Sequence, residues 1–208
     1  MIIGVCGLKS SGKDTLGEFL IQEHGFIKLS FAGALKDILS ILFDWDRNKL
    51  EGLTKEDREW REKIDEFWSN ELDMPNLTPR YVMEYFGTEL FRHQWHSDFW
   101  VKILKNKLTK YENVVVTDCR FPNEIEMIRE CGGKIIYIYR DVPKWVLNKN
   151  NSNWISEVKN LGIHESEYAW MNEKFDYEIE NNNTLEDLYK KLYDILLKIH
   201  YNTNINIY

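Results

Sequence analysis

Met1-Ile2-Ile3-Gly4-Val5-Cys6-Gly7-Leu8-Lys9-Ser10-Ser11-Gly12-Lys13 decides the fold of this 208-residue chain. Ile2 to Cys6 is a short apolar run of the kind that forms a strand buried on both faces. It leads straight into Gly7-Leu8-Lys9-Ser10-Ser11-Gly12-Lys13, which fits the phosphate-binding pattern G-x-x-x-x-G-K. Glycine is needed at both ends of that loop so that the backbone can turn its N–H groups onto one phosphate. Thr15 to Glu23 then carries Leu16, Phe19 and Leu20 at helical spacing, with Gly25 just beyond. A helix beginning there aims its partial positive charge at the same oxygens. Lys13 adds a full charge able to follow a transferred phosphoryl group. Gly7, Lys9, Ser10, Ser11, Gly12, Lys13, Asp14 and Thr15 are therefore the candidate nucleotide-binding residues. The eighth place of the pattern is ordinarily Ser or Thr holding Mg²⁺, but here it is Asp14, with Thr15 next. Asp14 can bind the metal or cap the helix.

Further along, strands and helices alternate. Phe26 to Phe31 reads as a second strand and Ala34 to Phe43 as a helix. Val114-Val115-Val116, β-branched throughout, is the clearest central strand. Lys134 to Tyr139 and Tyr177 to Ile179 supply two more. Thr184 caps a last helix, Leu185 to His200, and Tyr201 to Tyr208 is expected to fray. This order implies an α/β P-loop fold, three layers deep, on a five-stranded parallel sheet. Asp44 to Asn76 is charged and carries Trp45, Trp60 and Trp68, with Glu56 to Glu71 expected as helix. It reads as a helical insertion too short to bury its own core. Thr78-Pro79 starts another helix. Gly87 falls inside the helical pattern Tyr81 to Phe91, where glycine costs ~1 kcal/mol against alanine, so a close approach by ligand or backbone is expected there. Asn148 to Asn160 is polar and Asn-rich and reads as a mobile loop.

Apolar residues make up 43% and aromatics 14% of the chain, which excludes a disordered protein. A net charge of −7 argues against a broad nucleic-acid surface but not against a small anionic substrate. No stretch approaches a membrane span or a signal sequence. Cys6, Cys119 and Cys131 have no metal-ligand spacing and suit reduced thiols in a cytosol-like compartment.

Val114 to Asp118 places a carboxylate at the C-terminal end of a buried strand, where ligands of open parallel sheets sit and where Mg²⁺ or its waters are reached beside a P-loop. Arg120, two residues on, can bind phosphate bidentately, and Glu124 is expected to orient it. Asp14 and Asp118 are thus the metal candidates.

Five stretches together resemble the deoxynucleoside monophosphate kinases of large bacteriophages and large DNA viruses. They are Gly7 to Thr15, Phe31-Ala32-Gly33-Ala34-Leu35-Lys36, Phe86-Gly87-Thr88-Glu89-Leu90-Phe91-Arg92, Phe99-Trp100-Val101, and Thr117-Asp118-Cys119-Arg120-Phe121-Pro122-Asn123-Glu124. The likeness runs in order to about Arg140 and more faintly beyond. It implies a nucleoside monophosphate kinase-like fold over 1–208 as one domain, with an acceptor-binding helical insertion at about 44–110 and a lid at about 141–165. It implies ATP and Mg²⁺, a deoxynucleoside monophosphate acceptor and, as one assembly, a homodimer. It places the protein in the host cytoplasm if the source is viral. Carried over, Lys36, Arg80, Phe86, Gly87, Thr88, Arg92 and Trp100 become acceptor-site candidates beside Arg120. Lys13, Asp118, Arg120 and Arg140 become the catalytic set, with Arg140 at the base of the lid.

Two other readings compete. One is a P-loop kinase with a different phosphorylated acceptor, of dephospho-coenzyme A or phosphomevalonate type, against which the Phe-Gly-Thr and Phe-Trp-Val stretches count. The other is a nucleotide-dependent switch, but Asn48-Lys49-Leu50-Glu51 and Asn148-Lys149-Asn150-Asn151 both lack the aspartate of Asn-Lys-x-Asp. His164-Glu165-Ser166-Glu167 lacks the second histidine of a zinc motif, since residue 168 is Tyr. Ser166 is expected to cap a helix running to Met171. Asn181 to Thr184 is where the resemblance places backbone contacts to adenine.

Overall fold

The computed structural model describes residues 1–205. It comprises two compact units: Met1–Leu29 with the chain from Leu108 onward, and Ser30–Lys107.

The first unit is built on β1 (Ile2–Cys6), β2 (Ile27–Leu29), β3 (Val114–Val116), β4 (Lys134–Tyr139) and β5 (Tyr177–Glu180). All neighbours are parallel, in the order β2-β3-β1-β4-β5, so the strand carrying the glycine loop is central. Side chains alternate across the sheet. Ile3 and Val5 of β1, with Ile136, Ile138 and Ile179, bury against Leu16 and Leu20 of α1 (Lys13–His24) and Leu188, Leu192 and Ile195 of α11 (Leu185–Ile205). Gly4 faces the other way, where a Cβ would lie 2.8 Å from Ile135 and 3.5 Å from Ile128 of α8 (Pro122–Glu130). The sheet is therefore covered on both faces, as the alternation of elements predicts.

The second unit is helical: α2 (Gly33–Phe43), α3 (Arg47–Glu51), α4 (Lys55–Arg61), α5 (Glu66–Glu71), α6 (Pro79–Glu84), a π-helical segment (Tyr85–Trp95) and the start of α7 (Phe99–Leu108). Its core joins Leu35, Leu39 and Phe43 of α2 to Trp45, Leu50, Leu77, Val82, Met83 and Trp100, with Phe86, Phe91 and Phe99 packed on it. Residues 44–76 thus share a core with the helices that flank them.

Several elements depart from the sequence reading. The helix expected over Glu56 to Glu71 is two, because Asp65 caps α5 by accepting from Trp68 N at 3.0 Å and also receives the Trp45 indole N–H at 2.7 Å. Asn148 to Asn160 is not loop throughout. It contains α10 (Trp154–Asn160), and α9 (Lys144–Leu147) precedes it. The cause is Trp154 and Val158, both buried, with the Trp154 indole donating to Trp145 O. No helix runs from Ser166 to Met171. A single 3₁₀ turn, Glu165–Glu167, is capped instead by His164, whose Nδ1 accepts from Ser166 N. The last helix continues through Tyr201 to Ile205, and the rest of the stretch expected to fray, 206–208, lies outside the described residues. Among the described residues no helix is long and apolar enough to cross a membrane.

Candidate active site

The loop between β1 and α1 is closed by its own backbone. Ser11 N donates to Leu8 O at 3.2 Å, and the Lys13 ammonium donates to the same carbonyl at 2.6 Å. Glycine is required at both ends for steric reasons. A Cβ on Gly7 would lie 2.3 Å from Ile138 O, and one on Gly12 2.3 Å from the Asn181 amide nitrogen. Gly12 also has φ near 107°, which a side chain tolerates poorly. Asn181, buried at the end of β5, donates its amide to Ser11 O at 2.9 Å and its backbone N–H to Tyr139 O, so it braces the loop from behind. Ser11 is 2% exposed, and its hydroxyl has no hydrogen-bond partner among the described residues. An orphaned buried hydroxyl, two positions with no room for a Cβ, and an inward ammonium fit a phosphate chain.

Charge around the loop is arranged in layers. Burial, helped by the neighbouring Arg120, lowers Lys13 from 10.5 to about 8, against the opposing pull of Glu167, Asp14 and Cys6. Lys13 therefore stays mostly protonated near neutral pH. Arg120 follows β3 and is only partly open to solvent. Its guanidinium meets Glu167 Oε1 at 2.5 Å and Ser166 O at 3.3 Å. Burial would lower its pKa, but Glu167, then Asp118 and Glu124, keep it raised. Glu124 reaches Arg120 through the backbone. Its buried carboxylate accepts the backbone N–H groups of Arg120 (2.7 Å) and Phe121 (3.1 Å), fixing the chain that carries the arginine.

Asp14 does not cap α1, whose N-cap is Gly12 without a side-chain bond. A loop glycine there leaves the first N–H groups of the helix for a ligand. Asp14 Oδ1 instead lies 3.5 Å from both the Thr117 hydroxyl and Lys28 Nζ, and Thr117 directly precedes Asp118. Among the described residues no cluster of three or more His, Cys, Asp or Glu could hold a metal. Two carboxylates and a threonine hydroxyl are hard oxygen donors, which suits Mg²⁺ held mostly by phosphate and water. Arg140, at the end of β4, donates Nε to Asn181 O at 2.6 Å. Lys9 and Ser10 are exposed at the tip of the loop.

In the helical unit the acceptor candidates separate into packed groups and ion-paired ones. Trp100 is buried and donates its indole N–H to Gly87 O of the π-helical segment at 2.8 Å. A Cβ on Gly87 would lie 2.9 Å from Leu35, so the close approach expected there is made by a side chain of α2. Thr88 and Arg92 are buried, with Arg92 donating to Ser97 O at 3.1 Å. Phe86 lies against the core. Lys36 pairs with Glu51 at 3.0 Å and Arg80 with Glu84 at 2.6 Å. Arg61 is a residue the sequence did not single out. Its Nε is buried without a hydrogen-bond partner among the described residues, and its guanidinium lies over Gly52. Burial, then Arg80, lowers its pKa, while Glu62 and Glu51 act in the opposite direction. Glu167 and Asn181 were also missed as side chains with work at the glycine loop. Only position in the 164–167 motif and at a strand end hinted at them.

A family model for deoxynucleotide monophosphate kinases matches residues 52–192. The chain belongs to this family. A protein of Acanthamoeba polyphaga mimivirus, provisionally named a deoxynucleotide monophosphate kinase, is 30% identical, with 92% of this chain and 94% of that protein covered. The deoxynucleotide monophosphate kinase of Enterobacteria phage T4 is 24% identical, with 94% and 98% covered. Among solved structures, a dephospho-CoA kinase from Campylobacter jejuni has a TM-score of 0.50 at 21% identity, covering 95% of this chain and 96% of that one, a likeness of fold alone. Membership of the family accords with the five quoted stretches, all but two of which lie inside the matched range.

Proposed function

We propose that this protein transfers the γ-phosphoryl group of ATP, with Mg²⁺, to the 5′-phosphate of deoxynucleoside monophosphates, giving the diphosphates. The observation that carries the reading is the glycine loop with its orphaned Ser11 hydroxyl and inward Lys13, in a chain of this family. An oxygen of the acceptor phosphate attacks the γ-phosphorus in line, the bond to the β–γ bridging oxygen breaks, and ADP leaves with that electron pair. The acceptor oxygen is already ionised near neutral pH, so no side chain serves as general base. Gly7, Lys9, Ser10, Ser11, Gly12 and Thr15 contribute backbone and hydroxyl donors to the phosphate chain. Lys13 and Arg120 neutralise charge as it moves from one phosphate to the other. Asp14 and Asp118 would hold Mg²⁺ or its waters, and the ion would supply further charge neutralisation along the phosphate chain. Arg140 and the segment of about 141–165 form a lid that excludes water.

In the helical unit Arg80 and Arg61 take the acceptor phosphate, with Lys36 and Arg92 supporting that pocket. Phe86, Gly87, Thr88 and Trp100 wall the sugar and base. The names of the viral relatives support this acceptor class and action in a host cytoplasm. A homodimer remains part of the proposal, with size-exclusion chromatography its check. The test of function is incubation with ATP, Mg²⁺ and each of dTMP, dGMP, dCMP, dAMP and their ribose counterparts, with Lys13→Ala alongside. Diphosphate formed from deoxynucleotides and lost in the variant is the expected result. Transfer only to dephospho-coenzyme A or phosphomevalonate would replace the acceptor, and ATP binding without transfer would replace the reaction.

A further inference from the structure

We propose that Glu167 is a positioning residue for phosphoryl transfer, holding the Arg120 guanidinium beside the glycine loop. This rests on the kinase reading above but concerns a residue with no role assigned so far. The geometry comes from one turn supplying two acceptors to one nitrogen: Glu167 Oε1 at 2.5 Å and Ser166 O at 3.3 Å from Arg120 Nη1. Glu124 accepts from the backbone N–H of Arg120, while the guanidinium donates to the 165–167 turn.

That turn is firmly set. His164 Nδ1 accepts from Ser166 N and contacts its hydroxyl at 2.9 Å, and Ala169 N donates to Glu165 O. Tyr168, Trp170 and Met171 are buried immediately after it. A partly buried guanidinium aimed by a rigid acceptor loses little freedom when phosphate arrives. A simple structural staple between two loops would not need two acceptors on the same nitrogen.

The experiment is a double-mutant cycle of Glu167→Gln and Arg120→Ala, with Glu167→Asp as the conservative variant. Thermal melting is recorded for each protein, with kcat and KM for ATP and for the best deoxynucleotide. Glu167→Gln is expected to lower kcat roughly 10- to 100-fold, the scale of a misplaced charged group, while KM changes little. Glu167→Asp should recover part of that loss. In the Arg120→Ala background Glu167→Gln should cost almost nothing further. Losses in kcat that multiply independently, or a lowered melting temperature with kcat unchanged, would overturn the inference. If wild-type protein phosphorylates no deoxynucleotide, the kinase reading fails by itself. The cycle is then read on affinity for ADP with aluminium fluoride, which mimics the phosphoryl group in flight. Coupling between positions 167 and 120 there upholds the positioning role, and no coupling, absence of binding included, overturns it.

Discussion

Replacing Glu51 by glutamine should weaken the helical unit by an amount that depends on pH. Glu51 ends α3, with Oε2 3.0 Å from Lys36 Nζ on α2 and 2.9 Å from Arg47 Nη1. Burial alone would raise its pKa, but Lys36, then Arg47, bring it from 4.5 down to about 2. A difference of about 2.5 units at ~1.36 kcal/mol per unit corresponds to about 3 kcal/mol. Glu51 and Arg47 are 23% and 35% exposed, so solvent screening reduces this to about 2 kcal/mol. Because the folded value is depressed, the stabilisation is fully present above the unfolded pKa of 4.5 and is lost as pH falls through about 2. Urea unfolding followed by tryptophan emission, to which Trp45, Trp60 and Trp68 of this unit contribute, measures the gap between wild type and Glu51→Gln. A gap of about 2 kcal/mol at pH 7 should shrink to less than half at pH 3. An equal gap at both pH values, or one under about 0.5 kcal/mol at pH 7, would refute the assignment of this stability to an ionised Glu51.

Lys13→Met should lower kcat at least about 100-fold, the scale of losing one charge-stabilising donor, while melting changes little; retained turnover would remove Lys13 from the mechanism. Gly12→Ala should weaken ATP binding by 1–3 kcal/mol, roughly the cost of a strained αL residue, plus whatever it takes to displace Asn181; calorimetric titration reads this, and wild-type affinity would count against the loop geometry. Trp100→Phe should destabilise the helical unit by about 1 kcal/mol, one hydrogen bond to Gly87 O, and an unchanged urea midpoint would mean that this carbonyl finds water instead.

The glycine loop was legible because its signal is local: two glycines and a lysine at fixed spacing, with an apolar strand before them. Val114 to Val116 was legible for a similar reason, since three consecutive β-branched residues suit only a buried strand. The helices at 144–147 and 154–160 were not, because Asn-rich polarity concealed two residues, Trp154 and Val158, whose burial orders the segment. The break between α4 and α5 depended on Asp65 being shared between a helix cap and a distant indole, a relation that no periodicity carries. Glu167 and Asn181 reach the site across long stretches of chain, so their neighbours could not be read from their sequence context. Glu124 was expected to orient Arg120, and its carboxylate reaches the backbone N–H groups of Arg120 and Phe121, a detail that spacing alone does not carry.

The interior position of β1 has a consequence for synthesis of the chain. Ile27 of β2 pairs with Val114 of β3, so the whole of Ser30–Lys107 emerges between two adjacent strands. The glycine loop leaves the ribosome well before the segments that support it. β4 must be complete to flank β1, and Asn181 must arrive to brace Ser11. Loop closure over such separations is slow compared with helix formation. A nascent chain therefore carries the phosphate-binding motif long before it can hold a nucleotide, and ligand stabilisation by mass action rewards only the finished molecule.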